Sequence, residues 1–295
     1  MLFTRREFLT TSLIFTAGTL LPIHKIFSLE EGKWQTIRDN IGVYTNKGGT
    51  IGWYINDIDS IVIDTQFPDS ATDFLELFKK NHNKKIDVLF NTHHHPDHVS
   101  GNSTIKQFAN KHIAHENCVK FSQTIYKGTD NEKNVSPAET TFSKDYQHKL
   151  KSGKIIATHF GKAHTAGDIA IHFEKENVAH IGDLVFNGVY PFIDTKGGGS
   201  IKGWIEVLEK VSKHFDKDTA FIYGHGASDE MVVGKHQDLI SMRDYFNQLL
   251  DFTKKNKSKF QDKAEIEKAV PFNKKRKQQI PGIFQKNIGA ALLEV

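Results

Sequence analysis

The chain has 295 residues, 38% hydrophobic and 25% charged, the composition of an ordinary globular protein able to bury a sizeable core as one large domain or two small ones. Its net charge of +4 is slight, and Arg5, Arg6 and Lys25 against Glu7 supply +2 of it, leaving +2 for the rest; so weak a field argues against a nucleic-acid partner. The single cysteine, Cys118, excludes an internal disulfide and a CxxC metal site, and reads as a small buried apolar residue.

The N-terminus, Thr4-Arg5-Arg6-Glu7-Phe8-Leu9-Thr10, precedes an apolar run over 13–23. A charged start and a short apolar middle are the parts of an export signal, and the run is short for a spanning helix. It resembles a twin-arginine signal, with Thr10 where lysine is common. That resemblance implies a signal over 1–28, a periplasmic or otherwise exported protein, and no stable membrane span after processing. Residues 29–295 then form a single domain with a helical extension from about 230.

Strands are expected over 42–45, 50–55 and 60–63, separated by Asn46-Lys47-Gly48-Gly49 and Asn56-Asp57, both with hairpin turn chemistry. Asp69 or Ser70 would cap a helix to about 81, with Phe74, Leu75, Leu77 and Phe78 as its apolar face. A strand over 86–90 follows, then another over 112–115. Residues 127–152 are polar and without period, and read as a long loop, either a surface excursion or a lid. Strands return over 154–160, 169–174 and 178–181. A helix over 201–215, with Trp204, Val207, Leu208 and Val211 on one side, leads to a strand over 220–223. A helix over 234–256 follows, and 283–293 would dock on the domain or on a second subunit. The strand and helix order describes an α/β sandwich.

The chemistry concentrates in Asn91-Thr-His-His-His-Pro-Asp-His-Val-Ser-Gly-Asn102. Its core is HxHxDH, from His93, His95, Asp97 and His98, and chance gives such a motif in this chain with a probability of roughly 0.003. Side chains two apart on extended backbone point the same way, so His93 and His95 can share one ion while His94 faces elsewhere. Pro96 forces a turn, after which Asp97 and His98 can reach a second ion. Imidazoles and carboxylates without thiolate suit zinc, with iron and manganese as alternatives.

This motif resembles that of the metallo-β-lactamase-fold hydrolases. The family's further motifs follow in order: Asp64 closing Ser60-Ile61-Val62-Ile63-Asp64, His164 in Gly-Lys-Ala-His-Thr-Ala-Gly-Asp, Asp183 in His-Ile-Gly-Asp-Leu, and His225 in Tyr-Gly-His-Gly. The resemblance implies a four-layer αβ/βα sandwich of the metallo-β-lactamase type, with two zinc ions per chain at one edge of its sheets. His93, His95 and His164 would hold the first ion and Asp97, His98 and His225 the second. Asp183 would bridge the two, and Asp64 would orient the metal loop from behind. Zinc held so lowers the pKa of a water to roughly 7, for attack on a carbonyl, with Asp97 orienting it and carrying a proton to the leaving atom.

The family's chemistry is broad. Asp183 stands where β-lactamase branches have cysteine or serine, and matches the glyoxalase-like dinuclear branch. His95 stands where the oxygen-reducing di-iron branch has glutamate. The expected reaction is therefore hydrolysis of an ester, thioester, lactone or amide-like carbonyl in a small molecule. A β-lactamase, and an iron-dependent redox or catalytically idle metal-binding protein, are the alternatives. Asn187, Tyr190, Phe192, Asp194 and Lys196 lie where family members place substrate contacts, or else form a structural loop ending in three glycines.

Overall fold

The structure, a computed structural model, describes residues 32–273 and 275–295; the twin-arginine-like stretch lies outside them. Four strands open the fold, β1 (Lys33–Arg38), β2 (Ile41–Thr45), β3 (Ile51–Ile55) and β4 (Ser60–Ile63), each antiparallel to the next. Helix α1 (Pro68–Asn81) leads to β5 (Val88–Asn91), then α2 (Pro96–Val99), α3 (Asn102–Ile105) and β6 (His112–His115). After α4 (Glu116–Ile125) and α5 (Glu132–Val135), β7 (Thr140–Phe142) closes the first sheet, whose order is β1-β2-β3-β4-β5-β6-β7 with parallel pairing from β4 onward.

The second sheet contains β8 (Asp145–Lys149), β9 (Lys154–Thr158), β10 (Ala170–Phe173), β11 (Val178–His180), β13 (Ala220–Ile222) and β15 (Val233–Gly234), in the order β15-β13-β11-β10-β9-β8. A two-stranded ribbon of β12 (Phe186–Asn187) and β14 (His225–Gly226) lies beside α6 (Ile201–His214) in the sequence. The C-terminal helices are α7 (His236–Lys255), α8 (Lys263–Glu267) and α9 (Ile283–Leu292).

Burial patterns show why these sequences stack in layers. In β4, Ile61 and Ile63 enter the core between the sheets while Val62 packs with α1, so a strand covered on both faces needs apolar residues without alternation. Phe90 and Ile113 from one sheet meet Ile171 and Phe173 from the other in that central core. Phe74, Leu75 and Phe78 cover the outer face of the first sheet, and Trp204, Val207, Leu208, Met242, Phe246 and Phe284 belong to the cluster over the second. The result is the four-layer αβ/βα sandwich.

Several expectations need correction. Strand β1 carries no apolar alternation and was not among the expected strands; it is an edge strand held by Trp34, which stacks on Trp53 with ring centroids 4.5 Å apart. Helix α1 is capped by neither Asp69 nor Ser70: it starts at Pro68 after Phe67, because proline's fixed φ and missing N–H suit the first turn. Residues 127–152 are not one long loop. They hold α5, β7 and β8, and the two strands are short outer strands of either sheet, whose exposed alternate positions explain their polarity. Helix α9 docks on the domain itself, where Asn287 Nδ2 donates to the Pro191 carbonyl at 3.0 Å and to the Tyr245 hydroxyl at 3.0 Å.

Candidate metal centre

Parallel strands place the site. β4 and β5 run side by side, as do β11 and β13, and the candidate residues follow their carboxyl ends: Asp64 and residues 92–98 in the first sheet, Asp183 and His225 in the second. Crevices beyond the carboxyl ends of parallel strands are where open α/β sheets bind ligands. His164 arrives differently, on the loop between β9 and β10 rather than at a strand end.

Asp64 organises the metal-type loop. Its backbone sits in the left-handed region at φ 63°, a conformation that aspartate tolerates better than most residues. Its carboxylate accepts from the Thr92 N–H at 2.8 Å, the Thr92 hydroxyl at 2.6 Å and His98 Nδ1 at 2.8 Å. Pro96 then begins α2 at its first position, which turns Asp97 and His98 back toward the strand ends. Gly224 allows the opposite wall to close in, since a Cβ there would lie 1.9 Å from Asp183 Oδ1 and 2.8 Å from the His98 ring.

All seven expected ligands converge. Among the described residues, His93, His95, His164 and Asp183 bring one ligand atom each within 4.8 Å of one another, and Asp97, His98 and His225 do the same. Asp183 touches both groups: Oδ2 lies 3.4 Å from His164 Nε2 and 3.4 Å from His225 Nε2, and Oδ1 lies 3.2 Å from His98 Nε2. Asp97 Oδ2 lies 3.0 Å from His225 Nε2.

The outer nitrogens decide what the inner ones offer. His93 Nδ1 is 3.0 Å from the Thr92 hydroxyl, whose own proton goes to Asp64; His164 Nδ1 is 2.8 Å from the Phe192 carbonyl; His95 Nε2 is 2.9 Å from Asp194 Oδ2. Each outer nitrogen therefore carries the proton, leaving His93 Nε2, His95 Nδ1 and His164 Nε2 as lone pairs. These sit 3.1 and 2.8 Å apart around His95 Nδ1, a repulsive arrangement without a cation among them. Burial pushes His93 well below its ordinary pKa and His164 down to about 3, so protons are poor substitutes there. His98 Nε2 and Asp183 Oδ1 are buried, and neither has a hydrogen-bond partner. This donor set of nitrogen and carboxylate ligands, with outer nitrogens fixed by oxygen acceptors, fits a zinc-type site.

The second group is electrostatically different. Burial opposes charge on His225, but Asp183 and Asp97 outweigh it and push its pKa up to about 10. His98 is likewise raised well above its ordinary value, by Asp183, Asp97 and Asp64 against burial. For Asp97 burial works upward, and His98 and His225 hold the carboxyl well below the usual range.

Asp194 is the residue whose role the sequence did not convey. It accepts from His95 and lies 3.4 Å from His94 Nε2, while the Gly197 N–H donates to its other oxygen at 2.9 Å. His94 thus does not simply face away: it lines the same cleft, stacked on Phe121 with centroids 5.2 Å apart. Nothing local marks this pairing, because His95 and Asp194 are 99 residues apart. Tyr190, Phe192 and Lys196 also line the cleft, whose volume is about 620 Å³. Asn187 does not; its amide donates to the Met231 carbonyl at 3.0 Å. Cys118 is buried away from the cleft, and burial pushes its thiol up. Among the described residues no helix is long and apolar enough to cross a membrane.

Known proteins resemble this chain in sequence and in fold. A metallo-beta-lactamase type 2 of Elizabethkingia meningoseptica is 24% identical over 221 residues, which span 72% of this chain and 86% of that protein. A hydroxyacylglutathione hydrolase of Crocosphaera subtropica is 29% identical over 100 residues, 34% of either chain. A metallo-beta-lactamase from Pontibacter korlensis has the same fold, with a TM-score of 0.60 at 16% identity over 73% of this chain and 99% of that one. The metallo-beta-lactamase FIM-1 of Pseudomonas aeruginosa, solved in a mono-zinc form, gives 0.61 at 15% identity over 74% and 95%. Residues 48–226, more than half of the chain, match the Metallo-beta-lactamase superfamily and contain the whole His and Asp cluster, so the chain belongs to that superfamily as a metal-dependent hydrolase.

Proposed function

We propose that the protein is a dinuclear zinc hydrolase of an ester, thioester, lactone or amide-like carbonyl in a small molecule. The observation that carries this reading is Asp183, whose two oxygens face both histidine groups. His93, His95 and His164 would hold one ion, Asp97, His98 and His225 the other, with the Asp183 carboxylate between. Bound there, zinc supplies an electrophile for the carbonyl oxygen and an acidified water.

The chain's own residues do the rest. Asp64, Asp194 and the Phe192 carbonyl fix the rotation and tautomer of His98, His95 and His164. Asp97, which lines the cleft, would orient the attacking water and carry its proton to the leaving atom. Hydrolysis adds one water across the bond: its oxygen ends on the acyl carbon, and the proton held by Asp97 ends on the leaving oxygen, sulfur or nitrogen.

A second reading, β-lactam hydrolysis, is favoured by the extent of the likeness to the Elizabethkingia enzyme, which exceeds that to the hydroxyacylglutathione hydrolase. One panel separates the two. Zinc-loaded protein should hydrolyse acyl esters, thioesters or lactones with kcat/KM orders of magnitude above that for penicillins and cephalosporins. Comparable turnover of β-lactams would put it among the β-lactamases, and bound iron with oxygen consumption would reject both. The Arg5-Arg6 pair supports export by the twin-arginine route; changing both to lysine should keep the protein in the cytoplasm, since charge is preserved but the guanidinium geometry is lost. Undiminished export in fractionation would point to another route.

A further inference from the structure

Six large hydrophobic residues stand exposed among the described residues, and three of them, Ile125 at 44%, Phe192 at 36% and Ile280 at 43%, line the one cleft that holds the candidate metal centre. They come from three distant places: the end of α4, the loop after Asp183, and the segment before α9. Exposed apolar surface is disfavoured in water, so its concentration around a catalytic cleft marks a surface that a ligand covers. Phe186 and Tyr190, both buried, continue the same lining inward, and Lys196 is the only lysine or arginine among the described lining residues.

Ile280 is held in place by an unusual anchor. Arg276 is 9% exposed, and its described partners are carbonyls, a serine and a ring rather than a carboxylate. Nη1 donates to the Phe186 and Val189 carbonyls at 2.8 and 3.0 Å, and Nη2 to the Ser241 carbonyl at 3.2 Å. The guanidinium lies 5.0 Å from the Tyr245 ring centroid. Next to it, Lys277 N–H donates to the Gly188 carbonyl at 2.8 Å, and Gln279 Nε2 donates to the Gly226 carbonyl at 3.0 Å. Burying a guanidinium is costly unless its donors are satisfied; Nη1 and Nη2 are spent on tying the C-terminal segment to β12, the Val189 carbonyl and α7, while Nε is buried without a partner, and Gln279 ties the segment to β14, which carries His225. That segment lies beyond the residues matched to the superfamily, and through Gln279 and Ile280 it supplies one wall of the cleft.

The geometry points to a substrate whose carbonyl carries an apolar chain or ring, gripped by Ile125, Phe192 and Ile280, with Arg276 as the positioning residue for Ile280. This rests on the carbonyl-hydrolase reading and narrows it. A thioester with two carboxylates, such as an acyl-glutathione, would find one lysine among the described lining residues to meet them.

The test uses full-length zinc-loaded protein, 4-nitrophenyl esters from acetate to decanoate, and calorimetric binding of decanoate, the product of the longest ester. kcat/KM should climb about fourfold for each methylene that reaches the collar. Ile280→Ser should lower the decanoyl-to-acetyl ratio about tenfold and weaken decanoate binding in step. Arg276→Met should lower the same ratio chiefly through KM, and Arg276→Lys should recover part of it. If Arg276→Met fails to fold, Ile280→Ser and Phe192→Ser, at exposed positions, carry the test. Ester hydrolysis with no dependence on chain length, or a ratio unmoved by Ile280→Ser, would overturn the collar and leave the hydrolase standing. Decanoate binding that depends on Ile280 without turnover of any ester, thioester or lactone would keep the collar and reject the carbonyl-hydrolase reading.

Discussion

Asp64 shows how much of the centre rests on one side chain outside the ligand set. Replacing it by alanine leaves Thr92 and His98 without their acceptor and puts a Cβ residue without polar compensation at φ 63°. Asp64→Ala should cost about 10- to 100-fold in zinc affinity or kcat/KM, read from metal content and initial rates; a variant with full zinc and full rate would remove Asp64 from the site. This residue was legible in the sequence because it closes a strand in a motif. Asp194 was not, because its value lies in a contact made only when two halves of the fold meet. His112 carries a different prediction. It is buried, within 2.6 Å of Asn91 Oδ1, and burial lowers its pKa to about 3. Its folded pKa lies below the unfolded 6.5, so the unfolded chain binds the extra proton and stability falls as pH drops from about 6.5 toward 3. At pH 5 this amounts to about 2 kcal/mol. His112→Gln, which can still donate to Asn91, should therefore lose less Tm between pH 7 and pH 5 than the parent, and an equal loss would mean His112 does not titrate this way.

At the level of elements, periodicity located what is buried and missed what lies at edges. Strand β4, helix α6 and helix α7 are bounded almost as the pattern implies, because their apolar residues face a core. Strands β1, β7 and β8 are outermost in their sheets, where one face and one hydrogen-bonding edge meet water, so their sequences are polar and only pairing reveals them. What holds β1 is aromatic contact through Trp34, whose ring lies 4.5 Å from Trp53 and 5.5 Å from Phe74. Phe74 also meets Tyr44 of β2 and Phe78 of its own helix, so one ring of α1 fastens the helix to two strands. Phe74→Ala should destabilise the protein by about 3–5 kcal/mol, seen in denaturant unfolding, and amide exchange should rise first in β1. A loss below about 1 kcal/mol would mean that neighbouring side chains refill the space.

The whole molecule joins two halves around the centre. His93, His95, Asp97 and His98 belong to the first sheet's loops, and His164, Asp183 and His225 to the second's. If both zinc sites form as proposed, each ion takes ligands from both halves, so metal binding adds a cross-link that the unfolded chain lacks. A ligand specific to the folded state stabilises by about 4 kcal/mol when its free concentration is a thousand times Kd, which for a chain of this size means roughly 10 °C in Tm for one saturated site. Protons compete with the metal in one group more than the other. With His225 raised to about 10 and His98 also raised, both are protonated near neutrality in the metal-free protein, so zinc must displace protons there. Its affinity for the second group should rise with pH between 6 and 8, whereas His93 and His164, already neutral, should bind with a weaker pH dependence. Calorimetry in two buffers of different ionisation heat counts the protons released, and a thermal scan of chelated and reloaded protein reads the cross-link. Asp183→Ala should shrink the thermal gain and lower turnover together, because both groups lose an oxygen. Equal melting of chelated and reloaded protein, or zinc uptake without proton release, would mean that the two groups do not hold metal as a bridged pair.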